Sequence, residues 1–103
     1  MSTVVLPAED LAVIRRVLTA TPGLGRAVVF GSRAKGNAKP GSDIDLAVWG
    51  QVDVTHLTAQ LQDEGPLPYL FDVVPYETLR HEALKEHIDR VGIEIYRRDV
   101  QGF

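Results

Sequence analysis

Two aspartates separated by a single residue are the first feature of this sequence that could do chemistry. Asp43 and Asp45 flank Ile44 in a segment where acidic and apolar residues alternate. If the segment is a strand, its period of two places both carboxylates on one face. Two carboxylates so placed repel each other unless a cation lies between them, and hard oxygen ligands select Mg²⁺ or Mn²⁺. The pair therefore predicts a divalent-metal site.

Asp72 is a third acid with a place in the same chemistry. It stands inside the otherwise apolar run Leu70–Val74, where a buried charge is costly unless it is paired or bound to metal. If this strand neighbours the Asp43 strand, three carboxylates converge in a site for two metals, roughly 3.5–4 Å apart, as in phosphoryl-type transfer. The alternative is a strand-edge acid or a salt bridge to an arginine.

Gly31 and Ser32 follow an apolar strand and precede Asp43 by a ten-residue spacer. Gly31 lets the backbone turn sharply and approach a ligand, and the amides from Ser32 onward suit phosphate oxygens. Arg33 is a further candidate because a basic group beside a phosphate neutralises developing charge. A solvated loop is the alternative for Arg33.

Composition restricts the class of protein. The chain has 103 residues, a net charge of -3 and no cysteine. This length fits one domain over 1–103, and the charge argues against general nucleic-acid binding. Disulfides and thiolate metal sites are excluded, and no apolar stretch approaches the roughly twenty residues that span a bilayer. We expect a cytoplasmic protein with no membrane contact.

Periodicity predicts the elements that position these residues. Helices are predicted from Pro7 to about residue 20, from Asp53 as N-cap to Gly65, and around Leu84, Ile88 and Val91 up to Gly92. Strands are predicted at 27–30, 43–48, 69–74 and 93–96, with a tail from about 97 to 103. This order predicts an α/β (α+β) fold, a small mixed sheet flanked by helices. The scattered His56, His81 and His87 argue against a histidine metal site.

Gly31-Ser32, the spacer and Asp43-Ile44-Asp45-Leu46 together resemble the signature of the polymerase-beta-like nucleotidyltransferase superfamily. From Leu11 to Tyr96 the chain looks like its smallest branch, the minimal nucleotidyltransferases. Phe71-Asp72-Val73-Val74 is similar to the third-acid strand of that family, and 87–96 resembles its C-terminal ending.

The resemblance implies a nucleotidyltransferase fold and a metal-dependent enzyme. Members are encoded beside small helical HEPN proteins. In several such pairs the HEPN protein is a toxin, and the nucleotidyltransferase is its antitoxin, which transfers AMP from ATP to a tyrosine of the toxin. By resemblance, Gly31 and Ser32 would hold the triphosphate, and Asp43 and Asp45 would bind both Mg²⁺ ions. Asp72 would ligate the metal nearest the acceptor and help to deprotonate its hydroxyl.

Two alternatives stay open at this stage. The chain could neutralise its partner by contact alone, or it could transfer a nucleotide to a small molecule. A chain this short leaves little surplus for a separate acceptor-binding domain. We therefore expect a macromolecular partner to present the acceptor, in a hetero-oligomer or in a homodimer.

Overall fold

The fold is an α+β arrangement, seen in a computed structural model that describes residues 6–31, 43–63 and 69–98. Within these ranges the helices are α1 (Ala8–Thr19), α2 (Val54–Asp63) and α3 (Glu82–Val91), with a short 3-10 turn at Tyr76–Thr78. The strands are β1 (Leu24–Phe30), β2 (Ile44–Gly50), β3 (Phe71–Pro75) and β4 (Ile93–Arg97). The mixed sheet and the predicted order of helices and strands are confirmed.

The four strands of the described chain form one sheet in the order β3-β2-β1-β4. β1 pairs antiparallel with both β2 and β4, whereas β2 and β3 are parallel. Consequently the C-terminal end of β1 lies beside the N-terminal ends of β2 and β3. Residues at the end of one strand and at the start of two others therefore meet at one place.

One face of the sheet carries the larger core. Ile44, Leu46 and Val48 of β2 are buried there with Leu57 and Leu61 of α2, and the apolar side of α1 joins the same cluster. Alternation along β2 sends these apolar residues to one side. Asp45, Ala47 and Trp49 are thereby left for the other.

The opposite face is covered by α3. Val28, Phe30 and Ala47 pack there with Ile88, and Leu84 and Val91 extend this apolar contact. The predicted helical spacing of 84, 88 and 91 is therefore the face that α3 turns to the sheet. α3 packs mainly against β1.

Local signals mark the helix ends. The Asp53 side chain accepts a hydrogen bond from the His56 N–H at 3.1 Å, so the predicted N-cap of α2 is confirmed. His81 caps α3 in the same way, since its Nδ1 accepts from the Leu84 N–H at 3.0 Å. Gly92 ends α3 as predicted, but its φ of -65° is not the left-handed conformation common at helix ends.

The strand boundaries differ from the predicted ones. β1 begins at Leu24 because Leu24 pairs with Gly50 and Arg26 pairs with Trp49 and Arg97, while Gly25 lies at a shift in the register between them. β2 reaches Gly50, and β4 includes Arg97 of the predicted tail; residues 99–103 lie outside the described ranges. Cross-strand pairing thus extends strands beyond their apolar stretches. None of the helices in the described parts of the chain has the length and apolar character needed to cross a membrane.

Candidate active site

The acids that were predicted as site residues lie near one another at the C-terminal end of β1. Asp45 is the direct partner of Phe30 in β1 on one side and of Asp72 in β3 on the other. Paired residues in neighbouring strands point to the same face, and the strands lie about 4.8 Å apart. Asp43 immediately precedes β2, and Gly31 immediately follows β1. The structure therefore brings together four of the residues that the sequence singled out.

Gly31 and Asp45 are in close contact. Gly31 has a φ of +75°, which L side chains rarely adopt, and a Cβ built on it would collide with Oδ2 of Asp45. The carboxylate thus occupies space that only glycine leaves free. The predicted sharp turn at Gly31 is confirmed, and it has a second consequence, since it makes room for the carboxylate of Asp45.

The electrostatics of the site focus on Asp45. Its pKa is raised above the usual 3.8, first because the carboxyl is partly buried, and then because the charges of Asp72 and Asp43 lie near it. His87 acts in the opposite direction and lowers the pKa. Asp45 is therefore a partly desolvated carboxylate surrounded by like charge.

The prediction that Asp72 is a buried acid is wrong. Asp72 is exposed, and it lies in β3, which is an edge strand of the sheet formed by the described residues. The apolar residues on either side of Asp72 suggested burial, but Phe71 and Val73 pack on the opposite face of the sheet. Position, rather than burial, links Asp72 to the site.

The acids suit a divalent cation in donor type and charge. All are carboxylates, and the repulsion that raises the pKa of Asp45 would be relieved by a cation. Even so, no three histidine, cysteine, aspartate or glutamate side chains within the described ranges are arranged to hold a metal ion together. Asp43, Asp45 and Asp72 are therefore neighbours but not a preformed cage, and metal binding by these residues stays a prediction.

His87 lies near Asp45, although nothing in the sequence predicted this position. Its ring meets the ring of Phe30 edge-on, with 6.1 Å between centroids, and Phe30 is the cross-strand partner of Asp45. His87 is half-buried and directly precedes Ile88, at the border of the face that α3 turns to the sheet. That border position was the available signal, but nothing in the sequence alone indicated which strand end it would face.

Two predicted phosphate-site residues, Ser32 and Arg33, lie outside the described residues. A cavity of about 120 Å³ lies elsewhere, between α1 and α2 on the opposite face of the sheet. It is lined by Arg16, Val17, Ala20 and Gln60. Carboxylates are absent from that lining, so this cavity is not the site of the predicted chemistry.

Comparison with known proteins agrees with this geometry. A family model described as Polymerase beta, Nucleotidyltransferase matches residues 13–101. The Haemophilus influenzae protein named Probable protein adenylyltransferase MntA is 29% identical over 98 residues, which cover 91% of this chain and 85% of that relative.

Solved structures share the fold. A toxin-antitoxin crystal structure with AMP-PNP aligns with a TM-score of 0.68 at 21% identity, over 90% of this chain and 75% of the other. The toxin-antitoxin MntA-HepT aligns with a TM-score of 0.66 at 19% identity, over 89% and 74%. The family match includes the end of β1 and all three acids. It confirms the predicted enzyme class, a nucleotidyltransferase. The chain belongs to the polymerase beta nucleotidyltransferase family.

Proposed function

We propose that this protein transfers AMP from ATP to a hydroxyl group, on a tyrosine of a partner HEPN toxin, and acts as its antitoxin. The observation that carries the proposal is the meeting of Asp43, Asp45 and Asp72 beside the tight turn at Gly31. The similarity to a protein named as an adenylyltransferase supports the choice of AMP and of a protein acceptor. The similarity in fold to toxin-antitoxin structures supports the choice of partner.

The reaction exchanges a phosphoanhydride bond of ATP for a phosphoester bond to the acceptor. The acceptor oxygen forms a bond to the α-phosphorus of ATP, the bond from that phosphorus to the bridging oxygen breaks, and pyrophosphate leaves. Asp43 and Asp45 would hold two Mg²⁺ ions, or Mn²⁺ in their place, and Asp72 would hold the one nearest the acceptor. Such ions supply Lewis-acid stabilisation of the charge on the phosphate oxygens.

The side chains of this chain contribute position and proton transfer. Asp72 is exposed at the sheet edge, where an incoming hydroxyl can reach it and pass its proton to the carboxylate. Gly31 has no side chain beside Asp45, which leaves room for a triphosphate to approach the backbone of the turn. Ser32 and Arg33 are proposed as further triphosphate contacts.

The domain assignment and the assembly complete the proposal. A single nucleotidyltransferase domain over 1–103 would act in a hetero-oligomer with the toxin, which presents the hydroxyl. No membrane or direct nucleic-acid contact is part of the proposed function. The protein would work in the cytoplasm, where ATP and the toxin are present.

The test is the intact mass of the protein encoded by the adjacent gene, the proposed HEPN toxin, after incubation with this chain, ATP and Mg²⁺. We expect a gain of one or more AMP units, located on tyrosine by peptide mapping. The Asp43→Asn, Asp45→Asn variant should give no gain. Asp63→Asn is the matched control because Asp63 is an exposed acid at the end of α2, on the other face of the sheet, and it should leave the gain unchanged.

The remaining outcomes separate the alternatives. Tight binding without a mass gain would identify an antitoxin that acts by contact alone. A mass gain on a small hydroxyl compound, but not on the protein, would identify a small-molecule nucleotidyltransferase. Protection of cells by the double variant would show that catalysis is not needed for the antitoxin effect.

A further inference from the structure

The carboxylate of Asp45 lies in a niche with three distinct walls. Gly31 forms one wall, because its missing Cβ leaves the space that Oδ2 of Asp45 fills. Phe30, the cross-strand partner, forms the second. Asp72, the partner in β3, adds a like charge from the third side. These contacts confine the carboxylate on three sides.

His87 reaches this niche from α3. Its ring stands nearly perpendicular to that of Phe30, at an interplanar angle of 81°, and Phe30 is the direct partner of Asp45 in the neighbouring strand. The imidazole favours the ionised form of Asp45, as expected of a polar or positively charged group near the carboxylate. In the described part of the chain, it is the group found to counter the burial and the two acids that disfavour that form.

We propose that His87 is a positioning residue for Asp45, whose imidazole closes the α3 side of the niche and holds the carboxylate against Gly31. The inference rests on the proposed function, since it assigns Asp45 to metal binding. A positioned carboxylate binds a metal ion more tightly than a mobile one, and loss of such a supporting contact typically weakens metal affinity by roughly 10–100-fold. His87 therefore supports the metal site without touching the nucleotide or the acceptor.

The packing role and the polar role of His87 predict opposite results for two kinds of substitution. His87→Phe keeps an aromatic ring against Phe30 but removes both ring nitrogens. His87→Asn and His87→Gln remove the ring but place an amide near the positions of Nδ1 and Nε2, respectively. His56→Phe is the matched control, because His56 is exposed on α2 on the other face of the sheet.

The measurement is the affinity of the nucleotide-free protein for Mn²⁺, with thermal unfolding of each variant as a check of folding. We expect His87→Phe to unfold like the wild type but to bind Mn²⁺ at least about tenfold more weakly. At least one of the two amide variants should bind more tightly than His87→Phe, although both lose the ring contact. His56→Phe should bind as the wild type does.

Three results would overturn the inference. Unchanged Mn²⁺ affinity in His87→Phe would show that the ring contact with Phe30 is the whole role of His87. Equal weakening in the Phe, Asn and Gln variants would show that no polar contact is involved. Absence of Mn²⁺ binding by the wild type would contradict the proposed metal site itself, whereas the first two results leave that site intact.

Discussion

Replacing Gly31 by alanine should both destabilise the fold and disturb the site. The φ of +75° places residue 31 in the left-handed region, where an L side chain costs about 1–2 kcal/mol. The new methyl group would also meet Oδ2 of Asp45 and force the carboxylate out of its position. An off-rotamer side chain adds about 0.5–1.5 kcal/mol.

Together these costs give a loss of roughly 1.5–3.5 kcal/mol in the free energy of unfolding. For a chain of this length each kcal/mol lowers the Tm by roughly 4–8 °C, so the Tm should fall on the order of 10 °C. The affinity for Mn²⁺ should fall as well, because the displaced carboxylate belongs to the proposed metal site. Thermal unfolding and Mn²⁺ titration of the same preparation measure both effects.

Two other glycines separate the backbone effect from the site effect. Gly23 has a φ of +81°, and a Cβ there would collide with the carbonyl oxygen of Gln51, so Gly23→Ala should destabilise the fold without changing Mn²⁺ affinity. At Gly25 a Cβ would lie 3.6 Å from the carbonyl oxygen of Trp49, an ordinary contact, so Gly25→Ala should change neither quantity appreciably. If Gly31→Ala unfolds and binds Mn²⁺ like Gly25→Ala, the geometry described for Asp45 is wrong.

Three further predictions concern charge and packing. Near pH 7 the metal-free Asp45→Asn variant should be more stable than the wild type, because burial, Asp72 and Asp43 raise the pKa of Asp45. As the pH falls through the raised pKa of Asp45 towards 3.8, protonation should stabilise the wild type, and the difference in free energy of unfolding between the two proteins should shrink. Urea unfolding across this pH range measures that difference, and a constant difference would contradict the reasoning. Leu57→Ala should cost about 2–5 kcal/mol because Leu57 is fully buried, and a loss below about 1 kcal/mol in chemical unfolding would argue against this packing. Glu94→Gln should cost no more than about 1 kcal/mol in the same assay, since its bridges to two arginines are largely exposed and screened.

The sequence was most informative where local chemistry and function coincide. Gly31 was predicted as a tight turn and has a positive φ, and Asp45 was predicted as a site acid and lies against it. The helices were predictable because the apolar spacing that defines α3 is the face that packs on the sheet. Asp53 was predictable as a cap because capping depends on residues within one helical turn.

The burial of single residues and their neighbours across the sheet were harder to predict from the sequence. Asp72 was expected to be buried because an apolar strand surrounds it, but strand order places β3 at an edge and leaves Asp72 exposed. His87 was not predicted as a site residue, because the three histidines are scattered and His81 and His87 do not share one face of a helix. Its contact with Phe30 joins residues far apart in the chain, which no local pattern encodes.

The sequence by itself determined the residue types of the site, the order of the elements and the membership of the chain in its family. These depend on spacing along the chain, where a strand has a period of two and a helix one of 3.6. The tertiary structure alone decided that β1 ends where β2 and β3 begin, that Asp45 pairs with Asp72, and that His87 packs against Phe30, the other partner of Asp45. These relations depend on strand order and on the helix that covers each face, which follow from burying the whole apolar surface at once.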